Sequence, residues 1–154
     1  MNISFKEWVS KAKMPLVTTD DGALCFLIDT GASYNVLIKE AYEKSGSIFQ
    51  RLGRNDYMIG MNGEPQKIFM VSGDITLGGE VYAGEYGVME MTNAIETVIM
   101  LTGQRIDGAL GVDFLTRYGI VLDFHNMQLR SVSANDFEQA MAVPEAHSNA
   151  TNLV

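Results

Sequence analysis

The stretch Phe26-Leu27-Ile28-Asp29-Thr30-Gly31-Ala32-Ser33 decides how this chain is read. An apolar run from Ala23 to Ile28 has the length of a short buried strand, and it stops at an acid followed by small, tightly turning residues. A carboxylate at the end of an interior strand is costly unless something meets it. Asp29 therefore belongs either to a site, where a partner group or water meets the acid, or to an Asx-type turn that bonds backbone N–H groups two residues on. Strand alternation puts Cys25 and Leu27 on the face of Asp29, with Leu24, Phe26 and Ile28 on the other. Cys25 then reads as a small core hydrophobe rather than a reactive thiol.

A second stretch extends the first. Ile106-Asp107-Gly108-Ala109-Leu110-Gly111-Val112-Asp113-Phe114-Leu115 is again apolar and glycine-spaced, and it leads into a helix-like segment ending at Gly119. Ile120-Val121-Leu122-Asp123-Phe124, a turn at His125-Asn126, and Met127-Gln128-Leu129-Arg130 follow. Together the two stretches resemble the retropepsin-like aspartic proteases, the family of the retroviral proteases and their cellular and bacterial relatives. Asp29-Thr30-Gly31-Ala32-Ser33 matches the family's active-site signature. Gly108-Ala109-Leu110-Gly111-Val112-Asp113-Phe114-Leu115 matches its second hallmark, where a strand crosses behind the active loop before a helix. The resemblance covers Leu16 to Val132. It implies an all-β fold with short helices, a closed β-barrel of the acid-protease type, and a homodimer with the active site on its two-fold axis.

Aspartic protease chemistry needs two carboxylates sharing one proton. The chain has a single Asp-Thr-Gly, so the second acid is expected from an identical subunit, each contributing Asp29 across an isologous interface. The resemblance gives the neighbours their roles. Thr30 bonds across the dimer, and Gly31 lets the chain turn and offers backbone groups to the substrate. Ala32 lacks the hydroxyl that pepsin-type relatives set against the outer carboxylate oxygen, which implies activity nearer neutral pH. Ser33 replaces the aspartate usual in retroviral enzymes and keeps a hydroxyl for the substrate backbone. Ile59, Gly60, Met61, Asn62 and Gly63 stand where the family's flap closes over bound peptide, with Asn62-Gly63 as its turn; the same residues also suit an ordinary surface hairpin. Gly108, Ala109, Leu110 and Gly111 are structural, Asp113 is expected to cap the helix after Gly111, and Asp107 and His125 read as surface. The expected function is an aspartic endopeptidase acting on peptide or protein substrates without metal or organic cofactor. The alternative is a catalytically inactive dimeric module of the same fold that binds a peptide or protein.

Composition bounds these expectations. A chain of 154 residues, 47% hydrophobic and 19% charged, suits one globular domain. A net charge of −8 argues against nucleic acid or an anionic membrane as partner. Two histidines and one cysteine cannot build a Cys/His zinc site or an intramolecular disulfide. Ten methionines without a Met-x-x-Met or histidine cluster read as gap-fillers. Phe5 to Lys13 carries Lys6, Glu7, Lys11 and Lys13 instead of the apolar run of a signal peptide, and no stretch approaches a membrane span. A cytoplasmic protein is expected.

Along the chain, residues 1–15 are expected as a helical segment, with Ser4 and Glu7 as a capping box, Ile3 and Trp8 as a hydrophobic staple, and Pro15 as the stop. Residues 16–133 form the retropepsin-like domain. Within it, Leu16–Thr19 and Ala23–Ile28 flank a hairpin turn at Asp20-Asp21-Gly22. Tyr34–Leu37 reads as a strand and Lys39–Lys44 as a helix. Asp56–Pro65 reads as one hairpin; Lys67–Leu77 and Glu80–Met91 form another around Gly78-Gly79, with bends or bulges at Gly84 and Gly87. Asn93–Thr102 reads as a helix capped by Asn93 and Glu96 and stopped by Gly103. Residues 134–154 are a polar tail, briefly helical and then disordered in composition.

Overall fold

The structure is a computed structural model and describes residues 1–59 and 65–132. In chain order it contains β1 (Asn2–Ser4), α1 (Lys6–Ala12), β2 (Leu16–Thr18), β3 (Cys25–Ile28), β4 (Asn35–Ile38), α2 (Lys39–Lys44) and β5 (Phe49–Ile59). Then come β6 (Pro65–Leu77), β7 (Glu80–Met89), α3 (Asn93–Thr102), β8 (Gly108–Leu110), α4 (Val112–Arg117), β9 (Ile120–Asp123) and β10 (Gln128–Ser131). The protein is mostly β with short helices, and no helix among the described residues is long and apolar enough to cross a membrane.

Seven strands form one sheet in the order β2-β3-β8-β4-β7-β6-β5, and three form another in the order β1-β10-β9. Among the described residues the sheets do not close into a barrel, which corrects the expectation of closure. The edge strand β2 spans only three residues. Its Leu16 is buried with Cys25 and Ile106 under Trp8 of α1 and Ile95, Val98 and Ile99 of α3. Helices, not strand pairing, cover that end of the sheet, one of the standard ways to protect an edge.

The N-terminal segment is part of the main core. Phe5 is fully buried among Val17, Leu77, Phe114 and Leu129, and its ring meets Phe124 edge-on at 5.5 Å. β1 pairs antiparallel with β10, Ser4 opposite Gln128. The expected capping box does not form, because Ser4 is held in that strand. Phe5 occupies the N-cap position without a side-chain cap, and Glu7 instead pairs with Lys11 one turn on.

The long hairpin β6–β7 carries the other half of the core. Its register runs unbroken from Phe69↔Val88 to Leu77↔Glu80, so Gly84 and Gly87 mark no bulge. Both glycines make room for neighbours: a Cβ at Gly84 would stand 2.8 Å from the Tyr86 hydroxyl, and one at Gly87 would stand 2.4 Å from Cδ1 of Ile68. Tyr86 lies fully buried between Phe26 and Phe49, and burial pushes its phenol up from the usual value. The irregularity sits elsewhere, between Arg51 and Asn55 of β5. The first part of that strand, before Asp56, was not legible as one. Its residues after Phe49 are almost all exposed, so no alternation marks it.

The helix α3 spans its expected residues, but its cap lies one residue earlier, with the Thr92 hydroxyl accepting from Ile95 N. Gly103 ends it in the left-handed region. Residues 60–64 and 133–154 lie outside the described residues, and with them the expected Asn62-Gly63 turn and the polar tail.

Candidate active site

The strand β3 ends at Ile28 and delivers Asp29 to the sheet end, where Asp29 N still donates to Leu110 O at 3.0 Å. The chain then turns tightly. Ala32 N donates to Asp29 O at 3.2 Å, and Gly31 N donates to the Asp29 carboxylate Oδ1 at 2.9 Å. The Asx-type turn weighed against a site is therefore present, and the two coexist: Oδ1 is fixed by the turn, while Oδ2 accepts no hydrogen bond among the described residues. Asp29 is half-buried, and Thr30, Gly31 and Ser33 are exposed with Ala32 half-buried. A Cβ at Gly31 would stand 3.2 Å from Oδ1, so a larger residue would crowd the carboxylate.

What holds this loop is the second hallmark. β8 inserts between the two strands that flank the loop, parallel to β3 (Phe26↔Gly108, Ile28↔Leu110) and antiparallel to β4 (Leu37↔Gly108). The fit demands glycine, since a Cβ at Gly108 would stand 2.1 Å from Val36 O. Beyond β8 the first N–H groups of α4 close on the loop. Val112 N donates to Ala32 O at 2.8 Å and Asp113 N to Ser33 O at 3.3 Å. A Cβ at Gly111 would stand 2.5 Å from Tyr34 O and 2.6 Å from Ala32 O. These bonds use N–H groups that a helix start leaves without intrahelical partners. The N-cap position is Gly111, and Asp113 does not cap the helix as expected. Its carboxylate pairs with Arg117 at 3.2 Å.

Two polar residues that brace the site escaped sequence reasoning. Asn35, only 1% exposed, accepts from Gly111 N at 3.0 Å and donates to Glu85 O at 3.1 Å, linking the second hallmark to β7 through β4. Its signal was a lone amide in the run Tyr34 to Ile38, where a buried polar side chain must find partners. Asp107 is not plain surface. Its carboxylate accepts from Cys25 N at 2.7 Å and from Arg105 Nε at 2.6 Å, and Arg105 also reaches Ala23 O. Asp107 N and O bond Cys25 O and Ile38 N, so this residue ties β3 to β4 at the end opposite Asp29. Burial, reinforced by the Asp107 charge, raises the Cys25 thiol above its usual range.

Among the expected flap residues, Ile59 ends β5, is 71% exposed and pairs with Pro65 across the hairpin; Gly60, Met61, Asn62 and Gly63 lie outside the described residues. His125 is exposed. Among the described residues no three His, Cys, Asp or Glu side chains converge as metal ligands.

The sequence matches no protein-family model and no curated protein. Solved structures do match. The retroviral protease-like domain of Ddi1 from Leishmania major aligns over 80% of this chain and 97% of its own, at 19% identity and a TM-score of 0.50. The EIAV protease complexed with the inhibitor HBY-793 aligns over 68% of this chain and 85% of its own, at 23% identity and a TM-score of 0.47. The likeness to the Leishmania major domain shows the fold to be that of a retroviral protease-like domain.

Proposed function

We propose that the protein is an aspartic endopeptidase whose site is completed by a second copy of the chain. The observation that carries this is the Asp29 carboxylate, held through one oxygen by its own loop while the other has no partner among the described residues, in a fold of the retroviral protease type. One chain offers one such acid. Two copies related by a two-fold axis would bring Oδ2 of each Asp29 together, with the exposed Thr30 of each loop at the contact.

At about 3 Å separation such carboxylates share one proton. The protonated Asp29 donates to the scissile carbonyl oxygen, and the ionised one takes a proton from water as its oxygen attacks the carbonyl carbon. The gem-diol intermediate collapses when the dyad protonates the amide nitrogen and the C–N bond breaks, while one of the two hydroxyls on the former carbonyl carbon returns its proton to the other carboxylate, leaving a carboxylic acid, a free amine and one shared proton. Gly31 and Ser33 supply backbone and hydroxyl groups for an extended peptide, and the β5–β6 hairpin covers it. A charge of −8 per subunit opposes self-association, so the interface must be largely apolar.

The test is cleavage of an unfolded protein between about pH 4 and 7, with and without pepstatin, for wild type and Asp29→Asn, with mass in solution recorded on the same samples. Cleavage that is pepstatin-sensitive, absent in Asp29→Asn and confined to dimer-sized material is the expected result. A folded dimer that cuts nothing would favour a peptide-binding module instead.

A further inference from the structure

Beside the candidate site lies a polar cleft of about 200 Å³, bounded by the residues after the active loop, the first turns of α4 and the β5–β6 hairpin. Its charges come from Arg54, Asp56, Glu85, Asp113 and Arg117. Both arginines are already matched, Arg54 by Glu85 and Arg117 by Asp113. Asp56 is the carboxylate left over. It is half-buried, its Oδ1 accepts only the neighbouring Tyr57 N at 2.8 Å, and no cation pairs with it among the described residues. Tyr34, 49% exposed, lines the same cleft.

A cleft that offers a half-buried carboxylate without a cation and, in its lining, an aromatic ring is complementary to an ammonium or guanidinium group on an aliphatic stem. The volume equals the share of about six or seven waters, enough for a long side chain and too small for a folded element. The net charge of −8 also draws cationic peptides toward the chain.

We propose, resting on the peptidase reading, that this cleft takes a lysine or arginine side chain of the extended peptide substrate, with Asp56 meeting the charge and Tyr34 covering the stem. Tyr34 follows Asp29 by five residues, so at about 3.4 Å per residue the basic side chain lies within roughly five residues of the scissile bond. A symmetric dimer carries the cleft twice, so the preference extends to both sides of the cut.

The experiment uses peptides released from an unfolded protein by a glutamate-specific protease, half of them with lysines acetylated. Cleavage by the wild-type protein and retention on immobilised Asp29→Asn protein are both read by mass spectrometry. The expected result is lysine or arginine at a fixed offset within about five residues of the cut, with cleavage and retention about five- to tenfold weaker after acetylation. Asp56→Asn should bring the ratio of kcat/KM for lysine and acetyl-lysine peptides close to one, through KM, and Asp56→Lys should invert it. Cleavage without that offset, or with an offset that survives Asp56→Asn, overturns the basic subsite and leaves the peptidase standing, whereas peptides retained but never cut by the wild type overturn the peptidase reading. Peptides neither cut nor retained overturn the peptidase reading and the subsite with it.

Discussion

Replacing Gly108 by alanine should break the support of the candidate site at its tightest point. The added Cβ would stand 2.1 Å from Val36 O and 3.1 Å from Cε1 of Phe26. Carbon and oxygen approach without strain only to about 3.3 Å, so β8 and β4 must part by roughly 1 Å. The obstacle is backbone in the middle of a seven-stranded sheet, and no side-chain rotation relieves it. Parting the strands loses the pairings Val36↔Ala109 and Leu37↔Gly108, about 2 kcal/mol for two ladder bonds. Overpacking adds about 1–3 kcal/mol, for a total of about 3–5 kcal/mol out of the 5–15 kcal/mol typical of a domain. The assay is urea unfolding followed by far-UV circular dichroism at one fixed protein concentration, since dimerisation would couple to stability. With a slope of about 2 kcal/mol per molar, the midpoint should fall by about 2 M. Gly103→Ala is the control, because Gly103 has a φ of +66° with open space around its Cα and should lose only about 1 kcal/mol. If Gly108→Ala shifts the midpoint no further than Gly103→Ala, the strand insertion argued here is wrong.

Phe5→Ala should destabilise the fold by about 3–5 kcal/mol in the same assay, because the ring is fully buried in the main core; a loss under about 1 kcal/mol would make the N-terminal segment an appendage. The Asn126 side-chain amide and then its backbone N–H, donating to Asp123 at 2.8 and 2.9 Å, hold the Asp123 carboxyl below its ordinary value. A lowered folded-state value gives stability that is present above the ordinary carboxylate range and lost as pH falls through the folded value, so Asp123→Asn should flatten the decline in urea midpoint below about pH 4. Cys25, 5% exposed with its thiol pushed up by burial, should react with iodoacetamide at pH 8 at least about tenfold more slowly in native protein than in urea.

The core strands around the site were legible because their chemistry is local. Leu16–Thr18 and Cys25–Ile28 are apolar runs about Asp20-Asp21-Gly22, and Lys39–Lys44 follows an apolar strand directly. The glycines of the second hallmark stood out from spacing alone, although only the strand insertion explains why alanine cannot replace Gly108 or Gly111. What escaped was non-local. Asn35 looks like an ordinary polar residue of a strand and Asp107 like a surface residue until strands far apart in sequence bring Gly111 and Glu85 to the first and Cys25 to the second. The absence of barrel closure was hidden for the same reason, because the cover over β2 comes from Trp8 and α3, on opposite sides of it in the chain. Ser4 showed how tertiary pairing overrides a local signal, with a strand partner taking the residue that a capping box would use.

The central claim is that catalysis needs Asp29 from two chains, and subunit mixing tests it most directly. Wild-type and Asp29→Asn protein are mixed in equal amounts, allowed to exchange, and assayed against the same total of wild type. A site shared between two copies requires both partners to be wild type, which leaves about a quarter of the activity of wild type alone at the same total protein concentration. About half of the activity remaining after mixing, with exchange verified by mass, would contradict the shared dyad and place a complete site within one chain.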